Sequence, residues 1–169
     1  MNFVELASSR YSCRAYRSDP VPDECLARVL EAMRLAPTAC NRQPFCVYIA
    51  RTNEHRDALR RCYHHEWLVS APLVVTMVAL TDRAWCHRDG TNLGIVDATI
   101  AMDHLILAAT TEGLGTCWIA AFRPAELRNF LRLPDAAVPV AMTPLGFPAD
   151  IPAPKERANL DRLVQYVTP

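Results

Sequence analysis

Residues 94–112 constrain the fold more than any other part of this 169-residue chain, because apolar side chains cover most of their helical circumference. Their polar residues form one narrow stripe: Asp97, Asp103, His104, Thr110 and Thr111. A helix that is apolar on most sides is buried on most sides, whereas one sheet in a chain of this length can cover only one face. We therefore expect the opposite face to meet a second subunit, and Gly113 to end the helix at its C′ position.

The charge balance argues against several classes of partner. Eighteen Lys and Arg residues offset eighteen Asp and Glu residues, so the chain lacks the basic excess of a protein that holds nucleic acid or an anionic membrane. Apolar residues make up 51% and charged residues 21%, which excludes disorder and favours additional burial against a partner. The longest uncharged apolar run, Ala71–Leu80, is too short to span a bilayer.

The cysteines indicate a reducing compartment. There are seven of them, an odd number, and the first residues lack the basic and apolar regions of a secretion signal. We interpret them as free thiols of a cytoplasmic protein. No Cys-x-x-Cys pair occurs, and the spacing of Cys and His residues matches no familiar metal-binding pattern, so we predict no metal site.

Apolar periodicity, caps and prolines divide the chain into helices and strands without a linker, which predicts one domain over residues 1–169. The predicted helices are 2–9, 23–36, 53–63 (capped by Thr52 or Asn53), 94–112 and 124–131. The predicted strands are 45–50, 73–80, 116–121 and 138–145, and the second of these is expected to be buried on both faces. A proline-rich tail from Phe147 ends in an apolar segment, which we expect to dock on another chain.

No catalytic group of the protein itself is evident. Gly113-Leu114-Gly115 lacks the third glycine of a dinucleotide fingerprint, and it leads from a helix into a strand, the wrong direction for that site. There is no P-loop and no nucleophile elbow, and Asp103 and His104 diverge from adjacent positions on a helix. If the chain is an enzyme, we expect a cofactor to supply the reactivity.

Three segments have the residue types of a cofactor site. Arg10-Tyr11-Ser12-Cys13-Arg14 offers two guanidinium groups and a hydroxyl to a phosphate. Lys155-x-Arg157 contains the only lysine of the chain. The loop between Pro37 and Pro44 carries amide side chains at Asn41 and Gln43, which can donate to and accept from a heterocycle. Taken singly, such segments are ordinary surface arginines and an ordinary turn.

In this order and spacing, the three segments resemble those of the FMN-dependent nitroreductase superfamily. Ala36-Pro37-Thr38-Ala39-Cys40-Asn41-Arg42-Gln43-Pro44-Phe45 resembles its Ala-Pro-Ser-x-x-Asn-x-Gln-Pro-Trp loop. Gly113-Leu114-Gly115-Thr116-Cys117-Trp118-Ile119 resembles the turn and strand beneath its flavin. The resemblance implies an α+β fold with a mixed, mostly antiparallel sheet flanked by helices. It also implies an intertwined homodimer with two FMN sites at the interface, in which the C-terminal extension crosses to the partner and adds a strand to its sheet.

The resemblance also assigns roles to residues. Arg10, Ser12 and Arg14, together with Lys155 and Arg157, would hold the FMN phosphate, and Tyr11 belongs to the same cofactor-binding segment. Pro37, Thr38, Ala39 and Asn41 would contact the flavin from the other subunit, while Gln43 braces their loop. Trp118, Ile119, Ala120 and Ala121 would pass along one side of the ring, with Ala120 and Ala121 pairing through the backbone. Trp67, Trp85 and His87 are candidates for the substrate face.

The function implied is an oxidoreductase in which NADH or NADPH reduces FMN and a second small molecule, such as a quinone or nitroaromatic, then reoxidises it. Thr38 replaces a commoner Ser, Phe45 replaces Trp, and the short loop Thr81–Thr91 implies a compact pocket. Three alternatives remain: another flavin reaction on the same fold (ring dehydrogenation, dehalogenation or flavin fragmentation), a non-catalytic FMN-binding protein, and a flavin-free interaction protein.

Overall fold

Five helices lie close to the predicted segments, and a sixth, short helix lies in the tail, where none is predicted. In the computed structural model, which describes residues 1–168, they are α1 (Phe3–Ser9), α2 (Asp23–Arg34), α3 (Thr52–Cys62), α4 (Gly94–Thr111), α5 (Pro124–Leu131) and α6 (Leu160–Leu163). Pro169, the last residue of the predicted domain, lies outside the described residues. Asn2 and Glu5 form a capping box that begins α1, and Pro124 occupies the first turn of α5 as predicted.

The strands β1 (Phe45–Arg51), β2 (Leu73–Leu80), β3 (Gly115–Thr116) and β4 (Ala137–Gly146) form one sheet in the order β1-β2-β4-β3. Each neighbouring pair is antiparallel, with Val47 opposite Met77 and Met77 opposite Ala141. A parallel bridge joins Ser12 to Thr116 outside the named strands. The α+β fold with a mostly antiparallel sheet and flanking helices is therefore confirmed.

Two hydrophobic clusters cover the two faces of the sheet. Because side chains alternate along a strand, Val75 and Met77 pack in one cluster with residues of α2 and α4, and Val74 packs in the other with residues of α3 and α5. From Leu73 to Ala79, β2 is buried throughout, as predicted for a strand covered on both faces. Leu105 of α4 and Leu127 of α5 are fully buried, one on each side.

Two predicted details are wrong. The strand predicted over 116–121 ends at Thr116, because the backbone N–H of Cys117 donates to the side-chain oxygen of Thr143 (2.9 Å) instead of to a strand carbonyl. The chain returns to β4 only at Ile119, which exchanges two backbone hydrogen bonds of 2.9 Å with Met142. Neither Thr52 nor Asn53 caps α3, since Arg51 is the N-cap and Thr52 is buried inside the helix, where its N–H donates to Pro72 O.

Apolar surface remains exposed at the start of α4 and along the tail. Ile95 and Val96 keep about half of their surface accessible, at 50% and 49%. By length and composition α4 could cross a membrane, but its buried face packs against α2 and the sheet. The apolar tail residues are also exposed, among them Ile151, Leu160, Leu163, Tyr166 and Val167.

Candidate functional site

The segment Arg10–Arg14 is fixed beside β3. Ser12 pairs with Thr116, and the N–H of Cys13 donates to Thr116 O (2.9 Å). Gly115 permits this close approach, because a Cβ atom there would lie 2.7 Å from the Cys13 sulfur. The glycine motif and the arginine motif, about a hundred residues apart in sequence, are therefore neighbours in the fold.

Asp150 joins the same segment to the end of β4. Its carboxylate accepts hydrogen bonds from the Tyr11 hydroxyl (2.8 Å), the Arg14 backbone N–H (2.8 Å) and the Cys13 thiol (3.1 Å). Burial opposes ionisation of Asp150, but these hydrogen bonds outweigh it and lower its pKa. Burial and the bond to Asp150 raise the pKa of Cys13 to about 11 and raise the pKa of Tyr11. Nothing in the local sequence identifies Asp150, whose partners lie 136–139 residues away.

Basic side chains converge on this segment from both ends of the chain. Lys155 Nζ donates to Ser8 O (2.6 Å) and to Arg10 O. Partial burial and the positive charges of Arg10 and Arg157 lower the pKa of Lys155, so both arginines are close enough to Lys155 to repel its charge. Within residues 1–168, none of these three pairs with a carboxylate. We call Arg10, Arg14, Lys155 and Arg157 the cation cluster.

Arg14 is the member of this cluster that lies beside Trp67. Its guanidinium group is 5.9 Å from the ring centre of Trp67. Burial raises the pKa of Cys117, and the positive charges of Arg14 and Arg10 oppose part of that rise. Trp67 also makes an edge contact with Tyr63, with ring centres 5.5 Å apart. Of the three aromatic candidates for the substrate face, Trp67 is therefore next to the arginine motif, whereas Trp85 and His87 pair with each other in the loop 81–91.

Residues 118–121, which are predicted to pass along one side of the flavin ring, follow β3. Trp118 is 37% exposed and Ile119 is buried, while Ala120 and Ala121 are exposed. Since the two alanines carry no polar side-chain group, only their backbone can donate to or accept from a flavin.

The loop Pro37–Pro44 has an unusual backbone. Cys40, Asn41 and Gln43 all have positive φ, at 53°, 53° and 50°, a conformation that costs an L-residue about 1–2 kcal/mol. Hydrogen bonds within the loop hold it: Thr38 Oγ1 accepts from Gln43 N (3.0 Å), and Gln43 Nε2 donates to Asn41 O and Oδ1 (3.2 Å each). Strain of this kind persists where the surrounding structure enforces it.

Asp97 attaches this loop to α4. It is 2% exposed, and its Oδ1 accepts from the backbone N–H of Ala39 at 2.9 Å. Its second oxygen, Oδ2, is buried without a hydrogen-bond partner. The sequence places Asp97 on the polar stripe of α4, but it does not show that this side chain points into the protein toward the loop.

The structure therefore separates the predicted site residues into two groups. The loop meets α4 near Asp97, whereas Arg10 and Tyr11 line a cavity of about 160 Å³ with Thr110 and Gly113 at the other end of α4. Residues 97 and 110 are ~20 Å apart along a helix that rises about 1.5 Å per residue. Within one chain, the cation cluster and the Pro37–Pro44 loop thus lie at opposite ends of α4.

Comparisons with known proteins agree with this architecture. The model of the Nitroreductase family matches residues 7–72 and 57–147. The chain is 30% identical to an NADH dehydrogenase of Thermus thermophilus, covering 95% of this chain and 93% of that protein. It is 32% identical to an FMN reductase [NAD(P)H] of Bacillus subtilis, covering 91% and 69% respectively.

A crystal structure of a nitroreductase family protein from Clostridium difficile superimposes with a TM-score of 0.92 at 36% identity and covers 99% of both chains. The family match spans most of the chain and includes the arginine motif, the strained loop and the glycine turn before β3. The chain belongs to the nitroreductase family.

Proposed function

We propose that this chain binds FMN and acts as an FMN-dependent NAD(P)H oxidoreductase that reduces a small acceptor such as a nitroaromatic or a quinone. The observation that carries the proposal is the cation cluster, in which Lys155 is repelled by Arg10 and Arg157. A phosphate group carries about −1.5 to −2 charges at neutral pH, so it would offset this repulsion. The name of the Bacillus relative pairs FMN with NAD(P)H, and the name of the Thermus relative includes NADH, which supports the proposed cofactors.

The residues present fit such a cofactor. Arg10, Ser12 and Arg14 would bind the phosphate with Lys155 and Arg157, and Asp150 would hold the Arg10–Arg14 backbone in place through Tyr11 and Arg14. The backbone of residues 118–121 would flank the ring. When bound, FMN supplies hydride transfer from NADH or NADPH to the acceptor. The protein's part is to bind and orient it and to leave one face open to a planar substrate.

The ring side also needs residues from a second copy of the chain. Pro37, Thr38, Ala39 and Asn41 lie at the end of α4 opposite the cation cluster, so in a homodimer they would serve the partner's flavin. The exposed Ile95 and Val96 and the apolar tail favour this assembly, since burying each such side chain contributes about 1.5–3 kcal/mol. The tail would cross to the partner and add a strand to its sheet.

We expect the whole chain, residues 1–169, to act as one FMN-binding domain in the cytoplasm. All seven cysteines are free in the structure, which fits a reducing compartment. The short loop Thr81–Thr91 implies a compact pocket, which we expect to admit a small planar acceptor.

The test is an absorbance spectrum of the purified protein, recorded before and after anaerobic addition of NADH or NADPH. We expect a flavin spectrum that at least one nicotinamide bleaches and that a quinone or nitroaromatic restores. Riboflavin, which lacks the phosphate, should bind at least about tenfold more weakly than FMN. Bound flavin that neither nicotinamide bleaches would indicate a store, a sensor or a different flavin reaction. A colourless protein that takes up no FMN would overturn the proposal.

A further inference from the structure

We propose that Asp97 is a positioning residue that holds the loop Pro37–Pro44 in the conformation required to contact the flavin. This inference rests on the proposed function. Asp97 does not belong to the cation cluster, and it is not one of the residues proposed to contact the flavin. Its only described hydrogen bond through the side chain goes to the backbone of Ala39, one of the residues proposed to contact the flavin.

The loop cannot hold its own position. The bonds among Thr38, Asn41 and Gln43 all lie within the loop, so they fix its shape but not its orientation relative to the helices. Two side-chain hydrogen bonds connect it to the rest of the chain, Ala39 N to Asp97 and Arg42 to the carbonyl of Ala84 (2.9 Å each). A backbone hydrogen bond from Leu80 N to Pro44 O (2.7 Å) fixes only its last residue. The acceptor side chain of Asp97 is 2% exposed, and a hydrogen bond is stronger in such an environment than in water.

The burial of Asp97 requires an explanation. A carboxyl group that is 2% exposed, with one oxygen lacking a hydrogen-bond partner, costs free energy unless its other contacts compensate. The contact that compensates is the hydrogen bond to Ala39 N. Ala39 directly precedes Cys40 and Asn41, two of the three strained left-handed residues of the loop.

Two substitutions separate the hydrogen bond from the charge. Asp97→Asn keeps an oxygen that can accept from Ala39 N and removes the charge, whereas Asp97→Ala removes the acceptor. We expect the dissociation constant for FMN, measured by flavin fluorescence quenching, to rise about tenfold in D97A and to stay within about threefold of wild type in D97N. The visible circular dichroism of bound FMN should change in D97A only.

The control is Leu59→Ala, which removes fully buried side-chain atoms from α3. It lowers the melting temperature through the hydrophobic cluster of α3 and α5, on the face of the sheet opposite α4. It should leave FMN affinity and circular dichroism unchanged in the folded protein. If D97A does not accumulate as folded protein, Asp97→Leu removes the same acceptor with an apolar side chain that fills the buried space, and the same rise of about tenfold in the dissociation constant is expected.

A second measurement does not depend on FMN. Arg42 lies in the loop and is exposed, so trypsin cleavage after Arg42 should be several-fold faster in flavin-free D97A than in D97N or L59A. Wild-type protein that binds no FMN would refute the proposed function while leaving this measurement intact. The role of Asp97 would be overturned if D97A had wild-type FMN affinity and a wild-type rate of trypsin cleavage. It would also be overturned if D97N behaved like D97A in both measurements.

Discussion

At the scale of single residues, Arg14 and Arg17 show how position decides the role of a charge. The Arg14 guanidinium lies over Trp67 and close to Cys117, whereas Arg17 stacks on Phe147 (4.9 Å) and pairs with Asp19 (3.4 Å). Of the two, only Arg14 belongs to the cation cluster.

We therefore predict that Arg14→Ala weakens FMN binding at least about tenfold, because a hydrogen bond to a charged group contributes roughly 1.5–3 kcal/mol. The binding of riboflavin should change little, since the lost contact is to the phosphate. Flavin titrations of both ligands test this, with Arg17→Ala as the matched control. Equal FMN affinity in R14A and wild type would remove Arg14 from the site.

The motif residues could be proposed from the sequence, whereas the residues that hold their segments in place could not. Arg10, Ser12 and Arg14 stand in one short segment, so their pattern is visible along the chain. Asp150 and Asp97 act on partners 136–139 and 58 residues away, and a single Asp has no local pattern that reveals such a partner. Their roles depend on tertiary contacts that only the folded chain brings together.

At the scale of elements, segments with strong local signals were predicted best. The bounds of β2 and α5 agree with the predicted ones, because a β-branched run and an N-terminal proline define them. The third strand was predicted too long, because periodicity cannot show that the Thr143 side chain captures the N–H of Cys117.

The junction of β3 with the Arg10–Arg14 segment depends on the absence of a side chain at Gly115. We predict that Gly115→Ala destabilises the protein and weakens FMN binding, because the new Cβ would lie 2.7 Å from Cys13 Sγ and 2.9 Å from Cys13 Cβ. Urea unfolding and FMN titration measure the two effects.

Gly90→Ala, in the loop 81–91, is the control. Its Cβ would meet nothing within 4 Å, but its φ is +88°, so it should cost about 1–2 kcal/mol of stability through backbone strain alone and leave FMN affinity unchanged. Equal effects of the two substitutions on FMN binding would contradict the proposed importance of the close contact.

At the scale of the whole molecule, Asp150 makes stability depend on pH. Its pKa is lowered in the folded chain, so its contribution is complete above its unfolded pKa of about 3.9 and is lost as the pH falls through the folded value. We predict that Asp150→Asn is less stable than wild type at neutral pH and that the difference shrinks below about pH 4. Unfolding free energies measured from pH 2.5 to 7 test this, and a constant difference would contradict it. Asp82→Asn, which alters an exposed carboxyl group outside the ion pairs and side-chain hydrogen bonds of residues 1–168, is the control.

The length of α4 has a genetic consequence. If the loop at one end serves the partner's flavin and the cation cluster at the other end serves the chain's own, two damaged copies can complement each other. A mixed dimer of one R14A copy and one D97A copy would contain one site with both defects and one site with neither. Co-expression under two affinity tags should therefore yield mixed dimers that bind one FMN with wild-type affinity, although neither parent dimer does. Failure to recover that single tight site would mean that each chain's loop serves its own flavin.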